Sequence, residues 1–337
     1  MDIFLIIEKG DQTAFLGEGR VYVQKFSFRP LKALENLLII KYARLSGYKD
    51  FYIHYSFLSA FNASLVAGLS GGRTFYWNCG LPWLYKRNFL RDKFERLVYR
   101  SVNFLVTGTE GMKKEYAKHY RLPLSKIKVM PNWIDLEKVK GQRSKVKGSE
   151  IKKKLNIPDD SKVLLFVHRL SRRKGAHYLP EIVRRLNSMI PDSSFMILVA
   201  GDGPERKSVE SRIKNYELWN KVRFLGWIPQ NEVLKYFVIA DIFILPSEEE
   251  GFPHVLLEAM ATGVPFVAFD VGGVKEVIPR DFSRYLAESS NLNFFIKKIG
   301  ELLRIDSKNL EILRKSELDW VKKFDIKFAM EKFKNLF

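Results

Sequence analysis

Two glutamates, two cations and a set of glycine turns carry the chemistry that this sequence offers. In Pro246-Ser-Glu-Glu-Glu-Gly-Phe-Pro-His-Val-Leu-Leu-Glu258 a strand pattern ends at Leu245, three carboxylates come next, and a helical pattern opens near Pro253. Proline suits the first helical position, where its missing N–H costs nothing. Gly251 lets backbone approach a ligand closely. The free N–H groups and positive end of such a helix receive an anion, as at phosphate sites. Glu250 in the loop and Glu258 about a turn and a half into the helix can face one cleft, one toward each end of a bound polyol. Two glutamates at this spacing arise about once by chance in a chain of this size. Their weight comes from the neighbouring segments: Thr262-Gly-Val-Pro265, a second strand, then Asp270-Val-Gly-Gly273 opening another helix.

A second loop, Phe166-Val-His-Arg-Leu-Ser-Arg-Arg-Lys-Gly175, lies between a strand and a helix. Arg169 and Lys174 stand where such a loop directs cations toward a ligand. Arginine offers a planar fork to phosphate oxygens and lysine a point charge. The bland alternative is a merely basic loop, since Arg172 and Arg173 are also present. A third turn, Ala200-Gly-Asp-Gly-Pro204, puts Gly201 at a strand end where a base or ribose can pack.

The elements that must position these residues alternate short β runs with helical patterns, the signature of parallel sheets covered on both faces. In the first half, Ile3–Ile7, Phe51–His54, Thr74–Trp77, Phe104–Thr107 and Lys128–Met130 read as strands, with Val21–Phe28 as an extra one. Helical patterns lie near Leu31–Leu45, Ser59–Leu69, Arg91–Val102 and Glu110–His119. The second half repeats βα units from Val163 to Val277, and its tail is helical from Asn291 with a break near Phe324-Asp325. The basic stretch Lys138 to Lys154 reads as a linker running into a short helix. The expected fold is α/β, two doubly wound domains facing across a cleft, with ligands outside the carboxyl ends of the strands.

Bulk composition narrows the function. The 337 residues suffice for two ordinary domains, and the single cysteine, Cys79, excludes a disulfide framework. Cys79 reads as a small buried hydrophobe. The start, Met1-Asp2, lacks the basic region of a secretory signal. Phe51 to Gly72 carries no charge, yet its polar residues, its glycines and its change from β-rich to helical spacing suit a buried strand and helix better than a membrane span. The net charge is +19, with 23 Lys/Arg against 12 Asp/Glu over residues 1–140. Such a field attracts anionic partners or is simply a basic solvated surface.

The second half resembles the retaining GT-B glycosyltransferases of family four. The matching segments are Arg169-Leu-Ser…Lys174-Gly, Gly201-Asp-Gly-Pro, Phe224-Leu-Gly-Trp, Ala240-Asp-Ile-Phe-Ile-Leu-Pro-Ser and Glu250-Gly-Phe-Pro…Glu258-Ala-Met-Ala. Met130-Pro-Asn-Trp-Ile-Asp135 resembles the family's junction turn, with Trp133 in place of glycine. The resemblance implies that Arg169 and Lys174 bind the donor diphosphate, that Glu250 contacts the transferred sugar, and that Glu258 binds the ribose. It sets Gly251, Phe252 and Pro253 against sugar or phosphate, and Leu225 and Gly226 at the base. It implies a nucleotide-sugar donor, retained anomeric configuration, a glycan or lipid-linked acceptor, no cofactor and no metal, because the basic pair does a cation's electrostatic work. The sequence has no Asp-x-Asp motif and no His/Cys cluster at ligand spacing.

The resemblance further implies an acceptor-binding domain over residues 1–137, a donor-binding domain over 138–324, and a terminal helix, 325–337, packing back on the first. The first half departs from the family. Its nearest glycines to the first strand, Gly10, Gly17 and Gly19, form no Gly-Gly turn. Cys79 stands where the family often has histidine, and His54 falls at another position often held by histidine. A loop mixing Trp77, Trp83, Tyr85 and Phe89 with Lys86, Arg87, Arg91, Lys93, Arg96 and Arg100 suits an anionic membrane surface; its alternative is a solvated helix whose Leu and Phe face the core. The expected location is cytoplasmic, peripheral on the inner face of the membrane. Two other function classes stay in view: a nucleotide-sugar-binding protein without transferase activity, and a basic nucleic-acid-binding protein. The latter needs clustered Lys/Arg on a recognised module, and none is found, so no nucleic-acid partner is expected.

Overall fold

The computed structural model describes residues 4–7, 20–190 and 194–336. Ile3, Gly10, Gly17 and Gly19 lie outside them. Two compact units emerge, Met1–Met130 and Pro131–Leu336. Residues 131–137 and the last helix are grouped with the second unit.

In the first unit β1 (Phe4–Ile7) pairs in parallel with β2 (Arg20–Val23). Then come α1 (Arg29–Leu45), β3 (Asp50–His54), α2 (Phe57–Ser70), β4 (Arg73–Trp77), α3 (Phe89–Ser101), β5 (Phe104–Thr107), α4 (Glu110–Tyr120) and β6 (Ile127–Val129). Strands β3 to β6 form one parallel sheet in chain order. The segment read as one extra strand, Val21–Phe28, is in fact β2 followed by extended chain. The charge-free run becomes β3 and α2. Ser56 caps α2 by accepting from the Ser59 N–H, and Gly71 ends it at φ 77. Among the described residues no helix is long and apolar enough to cross a membrane.

The second unit opens with α5 (Leu136–Arg143) and α6 (Gly148–Lys154), so the stretch read as a linker is mostly helix. Val139 is buried and Ile151 packs against the core, which anchors both turns. There follow β7 (Lys162–Val167), α7 (Leu179–Met189), β8 (Phe195–Ala200), α8 (Arg206–Asn215), β9 (Val222–Gly226), α9 (Gln230–Ile239), β10 (Ile242–Leu245), α10 (His254–Thr262), β11 (Phe266–Asp270) and α11 (Val274–Val277). The chain ends in β12 (Leu286–Glu288), α12 (Leu292–Leu303), α13 (Ser307–Val321) and α14 (Ile326–Lys334).

The sheet is parallel throughout, in the order β12-β11-β10-β7-β8-β9. Its central strands are continuous apolar runs, and Val163 to Phe166, Ile197 to Val199 and Phe266 to Phe269 are fully enclosed. Such runs belong to strands covered on both faces. The short β12 gives no readable pattern, being only three residues long. Both units are α/β with parallel sheets, the GT-B fold class. The consequence for chemistry is positional: β7, β8, β9 and β10 end on one side of one sheet and deliver their following loops there.

Candidate functional site

The loop after β7 and the loop after β10 meet through three side chains. Lys174 Nζ lies 2.8 Å from Glu250 Oε1 and 2.9 Å from the Glu249 carbonyl. His168 Nε2 lies 3.2 Å from the same Glu250 oxygen. The Arg169 N–H donates to His168 Nδ1 at 2.9 Å, so Nδ1 is an acceptor and Nε2 carries the hydrogen that faces the carboxylate. Glu250 is 5% exposed. Burial alone would raise its pKa, but the His168 hydrogen bond and the Lys174 charge outweigh it and hold the carboxyl at about 2. An acid this deep stays ionised only because two donors converge on it.

Glycine makes the meeting of loops sterically feasible. The chain turns through a short 3₁₀ segment, Arg172–Lys174, into Gly175 at φ 71. A Cβ on Gly175 would fall 1.8 Å from the Pro246 carbonyl oxygen. The Glu248 N–H donates to the Arg173 carbonyl, and the Tyr178 hydroxyl donates to Glu248 Oε1 at 2.8 Å. The acidic loop is thereby pinned to the basic one along its length. Gly201, expected beside a base or ribose, packs closely on the backbone of the first loop: a Cβ there would stand 2.0 Å from the His168 carbonyl oxygen. Its N–H donates to the Gly226 carbonyl at 2.7 Å, tying the ends of β8 and β9 together. Leu225, just before Gly226, packs partly buried against the core.

Helix α10 begins at His254, with Pro253 at the N-cap rather than at the first helical position. No side chain caps this end and no acid sits in its first turn. Its first N–H groups therefore lack the partners that a capping side chain supplies. Gly251 is half-buried, and the buried Phe252 ring packs edge-on against Phe324 at 5.6 Å. The Phe252 carbonyl accepts from Asn132 Nδ2 at 3.0 Å, and the Gly273 N–H donates to the Glu250 carbonyl. The turn around Asn132 and the Gly272-Gly273 turn thus brace the acidic loop from two sides. Glu258 lies further along α10 and is buried; desolvation, opposed by the Gln230 side chain, pushes its pKa up to about 7.

The structure therefore joins Lys174 and Glu250 directly and adds His168, which the sequence pattern contains within its loop but does not single out. Arg169 is exposed and makes no ion pair among the described residues. Glu258 stands apart from the Lys174–Glu250 contact. Among the described residues no group of three or more His, Cys, Asp or Glu is placed to hold a metal ion.

His54 and Cys79 belong to the first unit. The His54 ring lies flat on Trp77, centroids 4.6 Å apart, and partial burial lowers its pKa. Beside it Tyr55 holds a left-handed backbone, φ 54, costly for a bulky residue. Cys79 is buried and its thiol pKa is pushed up to about 12 by desolvation, so it remains protonated at neutral pH.

The basic aromatic loop lines a cavity of about 250 Å³ with Trp83, Tyr85, Arg87, Arg96 and His119. Of the cations lining the cavity, Arg96 pairs with Asp92 at 2.7 Å and Arg87 with the buried Glu95. The reading that Leu and Phe of this helix face the core holds only for Phe94, half-buried against Phe61 at 5.6 Å; Phe89, Leu90 and Leu97 are exposed, and Val98 and Tyr99 are buried.

The parallel α/β fold of GT-B class, with a basic and an acidic loop joined at the strand ends of the second unit, is the fold seen in solved glycosyltransferase structures. The pattern described as "Glycosyl transferases group 1" matches residues 148–317, and the chain belongs to that family. It is 30% identical over 177 residues to an uncharacterised glycosyltransferase of Methanocaldococcus jannaschii, covering 52% of this chain and 45% of that one. It is 32% identical over 217 residues to the Escherichia coli UDP-Gal:alpha-D-GlcNAc-diphosphoundecaprenol alpha-1,3-galactosyltransferase, covering 63% of this chain and 54% of the relative. The chain thus spans about half the length of these curated relatives. Among solved structures, a Rickettsia africae glycosyltransferase superposes with a TM-score of 0.83 at 18% identity, over 99% of this chain and 88% of that one. Anabaena HepE, solved with UDP-glucose, gives 0.77 at 16% identity over 100% and 99%.

Proposed function

We propose that the chain is a retaining glycosyltransferase that moves a sugar from a UDP- or GDP-sugar to a glycan or lipid-linked acceptor, without a divalent metal. The single observation that carries this reading is the shared Glu250 carboxylate, gripped by Lys174 and His168 at the ends of β10 and β7. In this reading Glu250 accepts hydrogen bonds from the transferred sugar's hydroxyls. Lys174 and Arg169 neutralise the diphosphate as the bond from its oxygen to the anomeric carbon breaks. The uncapped tip of α10, with Gly251, Phe252 and Pro253, receives diphosphate oxygens. Glu258 takes the ribose hydroxyls, and Leu225 and Gly226 border the base. The acceptor hydroxyl attacks the anomeric carbon on the face that the diphosphate leaves, and a departing diphosphate oxygen takes its proton. His54 and Cys79 are assigned to the acceptor side, Cys79 as a neutral thiol.

A nucleotide-sugar donor is supported by the UDP-Gal in the Escherichia coli relative's name and by the UDP-glucose in the HepE structure. A lipid-linked acceptor is supported by the diphosphoundecaprenol in the former. With that acceptor class, a cytoplasmic enzyme working at the inner membrane face is the consistent location.

The test is donor turnover. Incubation with UDP-, GDP- and ADP-sugars should release nucleoside diphosphate from one of them. Lys174→Ala and Glu250→Ala should each lower that rate by about 10²-fold or more, the scale for removing one preorganised charge partner. Full rate in both variants would exclude the assigned site. Tight donor binding without release would favour a binding protein lacking transferase activity.

A further inference from the structure

Helix α1 is apolar on the side turned away from its own domain. Its inner face packs on α2 through Ile40 and Ala43, with Asn36 Oδ1 accepting from Asn62 Nδ2 at 3.0 Å. The opposite face should be polar in a water-facing helix. Instead it presents Leu31, Leu34, Leu38, Tyr42 and Leu45, all exposed, Leu38 at 55% and Leu45 at 78%. Their spacing of three and four residues aligns them along one narrow stripe. The extended chain leading into the helix adds Phe26 and Phe28, the latter 66% exposed. Contiguous apolar surface of this kind marks an interaction site.

Charge identifies the occupant. From Gln24 to Leu45 the sequence holds five cations, Lys25, Arg29, Lys32, Lys41 and Arg44, and one acid, Glu35. Glu35 is buried, its oxygens taken by the Tyr22 hydroxyl and by the Lys25 and Phe26 N–H groups. Hydrogen bonds from these groups and the Lys25 charge outweigh desolvation and keep its pKa low, so its charge is spent inward. Arg44 is turned onto the Ser70 and Gly71 carbonyls at the end of α2, but Lys25 and Lys41 are exposed beside the stripe and the segment offers no exposed acid to balance them. A second copy docking here would bring like charges together. An anionic bilayer offers the complement, with acyl chains for leucine and phenylalanine and negative head groups for lysine.

We infer that the Phe26–Leu45 stripe is a docking surface for an anionic lipid bilayer, lying in the membrane interface with α1 parallel to it. This surface would hold the protein on a membrane whether or not the sugar-transfer reading is right. The experiment is flotation of the full chain with vesicles of phosphatidylcholine alone or mixed with phosphatidylglycerol. The chain should float with the mixed vesicles, and added salt should weaken this. Leu34→Glu/Leu38→Glu, at exposed positions that leave the core intact, should lower the bound fraction by about tenfold. Lys32→Glu/Lys41→Glu should lower it while leaving the stripe in place.

Soluble donor hydrolysis should be unchanged in both pairs, which separates failure here from failure of the proposed site. Equal flotation with neutral vesicles, or full flotation of the Leu34→Glu/Leu38→Glu protein, would overturn the inference. So would a wild-type dimer that floats with neither and becomes monomeric on that substitution.

Discussion

At the residue scale two glutamates on neighbouring segments are driven in opposite directions by their surroundings. Glu250 keeps its charge because Lys174 and His168 meet it, whereas Glu258, buried beside only an amide, is pushed up to about 7. The Glu258 proton is therefore held more tightly in the folded protein than in the unfolded chain, where the ordinary value is 4.5. Its contribution is fully present below 4.5 and is lost as pH rises toward 7. The loss is on the order of 3 kcal/mol. Glu258→Gln removes that titration. Urea unfolding at pH 5 and pH 7 should show the variant gaining on wild type as pH rises, then a constant difference above 7. Glu317, buried on α13 with a raised pKa, slopes the same way in both proteins and cancels in the comparison. A difference that does not change with pH would show that Glu258 is not held neutral.

At the scale of elements the loops are set by backbone approach more than by side-chain attraction. Gly175 combines a left-handed φ with a Cβ position inside the Pro246 carbonyl. Gly175→Ala must move one loop off the other, and Lys174 and Glu250 sit on either side of that contact. Thermal unfolding should show a loss beyond the roughly 1 kcal/mol expected from the backbone conformation alone, with donor turnover falling as well. Alanine at Gly141, where an added Cβ meets nothing within 4 Å, serves as the control and should leave turnover unchanged. Much of this scale is legible in the chain itself. The apolar runs of β7, β8 and β10 announce buried parallel strands, and the glycine turns announce the loops. Lys138–Lys154 passes for a linker because its helices α5 and α6 bury few apolar residues among many cations. Helix α3 departs in part from expectation: Phe94 packs on Phe61, but Phe89, Leu90 and Leu97 face outward.

At the scale of the whole molecule, a nucleotide that binds only the folded second unit stabilises it by mass action. At about a hundredfold excess over Kd the gain is about 2.7 kcal/mol. A thermal-shift series with UDP, GDP and ADP should therefore raise the midpoint by several degrees with one base and little with the others, and Lys174→Ala should abolish the rise. An equal response to all three would mean that diphosphate alone is recognised.

The sequence by itself determined the family segments and the βα alternation and put forward Arg169, Lys174, Glu250 and Glu258 as candidates, because these depend on local spacing and on residue type. Only the tertiary structure decided that His168 joins Lys174 on one oxygen of Glu250, that Gly201 packs on backbone, and that α1 turns leucines outward. Each of these depends on which distant segment lies opposite, and chain spacing does not encode that distance.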